Sequence, residues 1–161
     1  MATKTNKRKG ETSTTVSVGI RIDPKIKFAL DMMGREQKRS LTAVIEWAIS
    51  KAIADQPWDY EESFSQVIDK VWSTDESTRF ANLGFYMPQA LTYDELRIWE
   101  TIKASPDYWH QNADKTYSTV DFLLYRDTLR HSWTALLEHV QKHRSSPTVV
   151  PFCPFDADPV F

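Results

Sequence analysis

A single cysteine, Cys153, in 161 residues excludes an intramolecular disulfide framework and any cysteine-rich zinc site. It fits a reducing, cytoplasmic setting. Only four glycines are present, and they form no phosphate-cradling loop. No hydrophobic run approaches the roughly 20 residues that a spanning helix needs. The N-terminus is polar, so neither a signal peptide nor a transmembrane segment is expected. Ser, His and Asp occur without a recognisable nucleophile motif, and Cys153 stands between Phe152 and Pro154 with no local base. No enzyme, cofactor or internal repeat is expected. His139 and His143 lie four apart on one predicted helix, with His131 further up it. No cysteine or carboxylate cluster completes a ligand set, and His near a helix C-terminus is favoured by the dipole alone, so no metal is expected.

What is present is aromatic and unevenly charged. Six Trp, six Tyr and eight Phe give much burial per residue. The net charge of −2 conceals an asymmetry. Residues 1–56 carry eleven Lys/Arg and six Asp/Glu, and residues 57–161 carry nine and sixteen. A basic head on an acidic body suits a nucleic-acid-binding module joined to a partner-binding domain.

The chain is organised around Thr15–Ala54. Val16, Val18, Ile20 and Ile22 alternate with Thr15, Ser17, Gly19 and Arg21, the period of a half-buried strand. Asp23-Pro24 ends the strand and opens a helix predicted over Pro24–Gln37, with Asp as N-cap and Pro at the first helical position. Ile26, Ala29, Leu30 and Met33 form one apolar face of it, with Phe28 and Met32 beside them. After the basic turn Lys38-Arg39, Ser40 caps a second helix striped by Leu41, Val44, Ile45, Ala48, Ile49 and Ala52. Trp47 sits on the flank of that stripe.

The strand has no second alternating run nearby with which to pair. A lone strand leaves its backbone groups unpaired. Pairing with the same strand of a second chain, antiparallel across a two-fold axis, is the economical solution. Val16, Val18, Ile20 and Ile22, with Leu30, Val44, Ile45 and Ala48, would then form the core of a homodimer. Thr15, Ser17, Gly19 and Arg21 would face outward on a two-stranded ribbon of the kind the DNA major groove admits.

The run Val18-Gly19-Ile20-Arg21-Ile22-Asp23-Pro24, an amphipathic helix, and then Arg39-Ser40-Leu41-Thr42 opening a second helix resembles the ribbon-helix-helix family of Arc/MetJ-type repressors. The resemblance covers about residues 14–54. It implies an intertwined dimer, base contacts from Ser17, Gly19 and Arg21, and phosphate contacts from the start of the second helix. The family usually offers a polar side chain where Gly19 stands, so readout falls to Arg21, Ser17 and the N-terminal arm. Independently of the family, Arg21 can donate two hydrogen bonds to guanine O6 and N7, or simply be a solvated strand residue. The first amides of the second helix, near Leu41 and Thr42, suit a phosphate oxygen, with Lys38, Arg39 and Ser40 beside them.

Residues 1–14 read as a disordered basic arm with Lys7, Arg8 and Lys9 at its centre, either following the DNA backbone or serving as a solubilising tail. Residues 15–56 form the ribbon-helix-helix module, bounded by a break at Asp55-Gln56-Pro57-Trp58. Residues 57–144 read as an all-α domain. Asp59 with Glu62 is expected to cap a helix carrying Phe64, Val67, Ile68, Val71 and Trp72. Thr74 is expected to cap one carrying Phe80, Leu83 and Met87, ended by Pro88. Thr92 with Glu95 caps one carrying Leu96, Ile98, Trp99 and Ile102. Ser105-Pro106 opens a turn bearing Tyr108 and Trp109. Ser118 with Asp121 is expected to open the longest helix, to about His143, with Phe122, Leu123, Tyr125, Leu129, Trp133, Leu136, Leu137 and Val140 inward. The proline-rich tail 145–161 is expected to be extended, packed on the body or free to dock on a partner.

The expected fold is therefore mostly α: a ribbon-helix-helix N-terminal module, its two-stranded β-ribbon intermolecular, and an all-α C-terminal domain. The expected function is that of a dimeric, sequence-specific DNA-binding protein acting as a transcriptional repressor. Two alternatives stand. One is a plasmid or phage accessory DNA-binding protein, such as an antitoxin or relaxosome factor, whose C-terminal region binds a protein. The other is an interaction module that uses the ribbon-helix-helix part only to dimerise.

Overall fold

A computed structural model of the chain describes Val16, residues 18–59 and residues 62–155. It is mostly helical. α1 spans Pro24–Gln37, α2 Leu41–Asp55, α3 Phe64–Val71, α4 Glu76–Tyr86, α5 Tyr93–Ala104 and α6 Arg126–Lys142. Short 3-10 turns stand at Pro88–Ala90, Pro106–Tyr108 and Asp121–Leu123. Two compact units divide within α2, at Ser50 and Lys51.

The expected strand is not formed within one chain. Val16 and residues 18–23 are neither helix nor strand, and among the described residues only isolated antiparallel bridges occur: Pro57 with Ser63, Trp109 with Leu124, and Gln111 with Tyr117. The physical reason is the one the sequence raises: a strand needs a neighbour, and the described residues of this chain supply none beside it.

The first two helices follow their local chemistry. Asp23 Oδ1 accepts from the amides of Lys25 and Ile26 at 2.9 and 3.3 Å, and Pro24 takes a position where an amide would have no partner. Ser40 Oγ accepts from Ala43 N at 3.2 Å at the start of α2.

In the second unit three expected caps move. Ser63 and Gln66, not Asp59 and Glu62, make the capping box of α3; Asp59 instead accepts from Glu62 N one turn earlier. Asp75, not Thr74, caps α4 through Thr78 N at 2.8 Å. The third concerns α6, which begins at Arg126, without a side-chain cap. Asp121 is drawn away from Ser118, since its carboxylate accepts from Tyr86 Oη at 2.6 Å and pairs with Arg126. The segment after it bonds back across the fold, His110 N to Leu123 O and Tyr125 N to Tyr108 O. Phe122, expected inward on the helix, therefore lies outside it and is 85% exposed. The Thr92–Glu95 box forms as expected.

Tyr108 and Trp109 are the centre of the main core, both completely buried. Their polar atoms are satisfied: Trp109 Nε1 donates to Ile102 O at 2.8 Å, and Tyr108 Oη shares a hydrogen bond with Ser132 Oγ at 2.8 Å. Burial pushes the Tyr108 phenol well above its ordinary range. Phe85 meets Trp99 edge-on at 4.8 Å. The tail packs on this core through Phe152, whose amide donates to the buried Ser105 Oγ at 2.8 Å. A smaller cluster joins Val67, Val71 and Met87.

Hydrogen bonds from Thr78 and Ser77 hold the Asp75 carboxyl well below the usual carboxylate range. A depressed carboxylate contributes stability that is present above its unfolded pKa, about 3.9, and lost as pH falls through the folded value. Melting of the second unit is thus expected to be flat in its Asp75 contribution from neutral pH down to about 4 and to fall below that. Asp75→Asn should reduce the slope of melting temperature against pH in that acid range.

Candidate nucleic-acid interface

In the first unit the sequence-predicted residues fall into two groups. The segment ahead of α1 holds Gly19 and Arg21, both exposed. Ser17, Lys7, Arg8 and Lys9 lie outside the described residues. A Cβ at Gly19 would meet no atom within 4 Å, so no packing demand in the single chain requires glycine there.

The apolar half of the same segment is uncovered. Val16, Val18 and Ile20 are 88%, 74% and 59% exposed. Ile22, Leu30, Ile45 and Ala48 are half-buried, and Val44 is the one apolar side chain of Val16–Ser50 that is fully buried among the described residues. Fully burying a Val or Ile returns about 1.5–3 kcal/mol, a gain that Val16, Val18 and Ile20 do not realise among the described residues of the single chain.

The second group is the turn between α1 and α2. Lys38 adopts the left-handed conformation, φ 53° and ψ 42°, and its amide and that of Arg39 close the end of α1 on Arg35 O and Gly34 O. Gly34 sits at a close approach: a Cβ there would lie 3.0 Å from Arg39 O, a tight contact, and 3.7 Å from Val44 Cγ2. The turn brings Lys38, Arg39 and Leu41 to one cleft of about 450 Å3, shared with Asp31, Gly34 and Arg35. Asp31 is already paired with Lys27 at 2.7 Å, so Arg35, Lys38 and Arg39 set the sign of the cleft. The amides of Leu41 and Thr42, in the first turn of α2, have no intrahelical acceptor by helix geometry, and the helix dipole adds positive potential there. Ser40 and Thr42 stand exposed beside them. Sequence pattern alone does not single out Arg35, which lines the cleft; its signal is its place one helical turn before Arg39, on a helix ending in a basic turn.

The predicted histidine pair is engaged with backbone. His139 Nε2 lies 2.9 Å from Val150 O, and His143 Nδ1 lies 2.9 Å from His139 O. Among the described residues no group of three His, Cys, Asp or Glu is placed to hold a metal ion, and no helix is long and apolar enough to cross a membrane. No protein-family model, curated protein or solved structure matches the chain.

Proposed function

We propose that the chain is a dimeric, sequence-specific DNA-binding protein of ribbon-helix-helix architecture, acting in the cytoplasm as a transcriptional repressor. The observation that carries this reading is that the alternating apolar residues Val16, Val18 and Ile20 are uncovered in a segment leading straight into an Asp23-capped helix. Two copies paired antiparallel would cover Val16, Val18, Ile20 and Ile22 with the helices of both chains and satisfy the strands' backbone groups. Ser17, Gly19 and Arg21 would then face the major groove. Lys38, Arg39, Ser40 and the amides of Leu41 and Thr42 would hold phosphates, with Arg35 beside them.

The test is a binding selection from random duplex DNA with the full-length protein at near-physiological salt. A motif with two-fold related half-sites is expected. A folded dimer that enriches nothing would instead support the interaction-module reading, which the bare Gly19 and the acidic second unit favour.

Arg21→Ala is expected to cost about 1–3 kcal/mol of binding and to relax preference at one base position per half-site. Joint replacement of Lys7, Arg8 and Lys9 by Ala is expected to weaken all sequences alike and flatten the salt dependence. Fluorescence anisotropy on matched and mismatched duplexes over a salt series separates the two. Equal, sequence-independent losses would contradict a base-reading role for Arg21.

A further inference from the structure

The second unit carries an apolar groove that its own described residues leave open. α3 contributes Ile68 and Val71 to it and α4 contributes Phe80 and Leu83, around a volume of about 350 Å3. Pockets that take a ligand's anchoring groups run from about 300 to 1,000 Å3. Trp72, at the end of α3, forms part of its wall and is 65% exposed. That indole is held in place: the Arg79 guanidinium lies over it at 5.3 Å while Arg79 NH1 donates to Ser73 O at 2.6 Å. An exposed, fixed aromatic wall is a preorganised contact with little ordering left to lose on binding.

The polar groups of the groove choose the sign of its occupant. Glu76 and Glu95 line it, and among the described residues neither is in an ion pair. Glu95 receives the Thr92 amide and hydroxyl on Oε2 alone. Arg79, the cation among the lining residues, is already engaged with Ser73 and Trp72. The unit around the groove is acidic, with sixteen Asp/Glu against nine Lys/Arg over residues 57–161. A nucleic acid or an anionic membrane is disfavoured there. A segment with an apolar face and basic flanks fits, because lysine and arginine lay their stems on apolar surface and carry their charge to the rim.

We propose that this groove docks a basic amphipathic helix of a protein partner, its apolar side chains at i, i+3 and i+4 seated against Trp72 and Leu83 and its cations beside Glu76 and Glu95. The groove lies wholly in the second unit, so the proposal stands or falls separately from DNA binding.

The test is an NMR titration of the full-length, isotope-labelled protein with two synthetic amphipathic helices. Both have the same leucine face, one with lysine flanks and one with glutamate flanks. Saturable binding of the Leu/Lys helix is expected, with shifts confined to the Trp72 indole and the Ile68 and Leu83 methyls. Trp72→Ala and Glu76→Lys, both at exposed positions, are each expected to weaken it about tenfold or more, with the second unit still melting cooperatively and with only a small drop for Glu76→Lys, which removes the acidic residue from the first turn of α4. The Leu/Glu helix should bind weakly or not at all. Shifts scattered over other acidic faces, or affinity indifferent to Trp72→Ala, would overturn the proposal. So would equal binding of both helices, or self-association of the protein lost in Trp72→Ala, which would make a second copy the occupant.

Discussion

Ile20→Asp is expected to abolish dimerisation and reduce specific DNA binding by about a hundredfold or more, while the second unit melts as before. Ile20 stands 59% exposed in the single chain, so the substitution has little to disturb there. Its cost arises only when two chains pair. In the proposed pairing the two-fold axis would place two carboxylates in one apolar interior. Burying a charge without a partner is costly enough that pairing or neutralisation must replace it. Sedimentation equilibrium across a concentration series reads the dimer, and anisotropy on the selected duplex reads the function. Gly19→Asn is the control. A side chain there meets open space, so the dimer should persist and only sequence preference should shift. A dimer that survives Ile20→Asp would mean that the segment Val16–Ile22 is not its seam.

Gly84→Ala is expected to destabilise the second unit by about 1–2 kcal/mol. The added Cβ would lie 2.5–2.7 Å from ring atoms of Trp99, well inside contact distance. Trp99 cannot retreat easily, being 5% exposed and braced edge-on by Phe85. Overpacking of a rigid core costs about 1–3 kcal/mol and sometimes more, and the helix-propensity gain of Ala over Gly, about 1 kcal/mol, offsets only part of it. Thermal melting followed by near-ultraviolet circular dichroism, which reports the buried aromatics, measures the loss. DNA affinity should fall far less than stability, because the proposed contacts all lie before Ser50. Comparable losses in both would show that the second unit is needed for the DNA-binding form.

How much was readable from sequence depended on the range of the interaction. Asp23-Pro24, Ser40 and the Thr92–Glu95 box act within three residues, and each cap forms where the sequence puts it. Ser63–Gln66 is equally local, but it follows directly on the Asp59–Glu62 pattern. Contacts from outside decide between them, among them Phe64 N on Gln56 O and the Pro57–Ser63 bridge. Asp121 departs from its expected capping role for a longer-range reason. Its partner Tyr86 lies thirty-five positions away, and no window of sequence contains both. Trp72 fits a helical apolar stripe by spacing, yet α3 ends at Val71 and leaves it outside. In the candidate interface the basic turn was legible as Lys38-Arg39. Its left-handed backbone and the glycine that lets α2 approach were not, because both depend on how the helices meet.

The measurement that bears most directly on the proposed ribbon is amide hydrogen exchange over residues 16–22 of the full-length protein at concentrations above and below dimerisation. An antiparallel two-stranded ribbon bonds the amide of every second residue across the seam and leaves the others to solvent. Alternating protection that appears with dimer formation is the predicted result. Uniformly fast exchange along the segment, in protein that is dimeric and bound to its selected DNA, would contradict it.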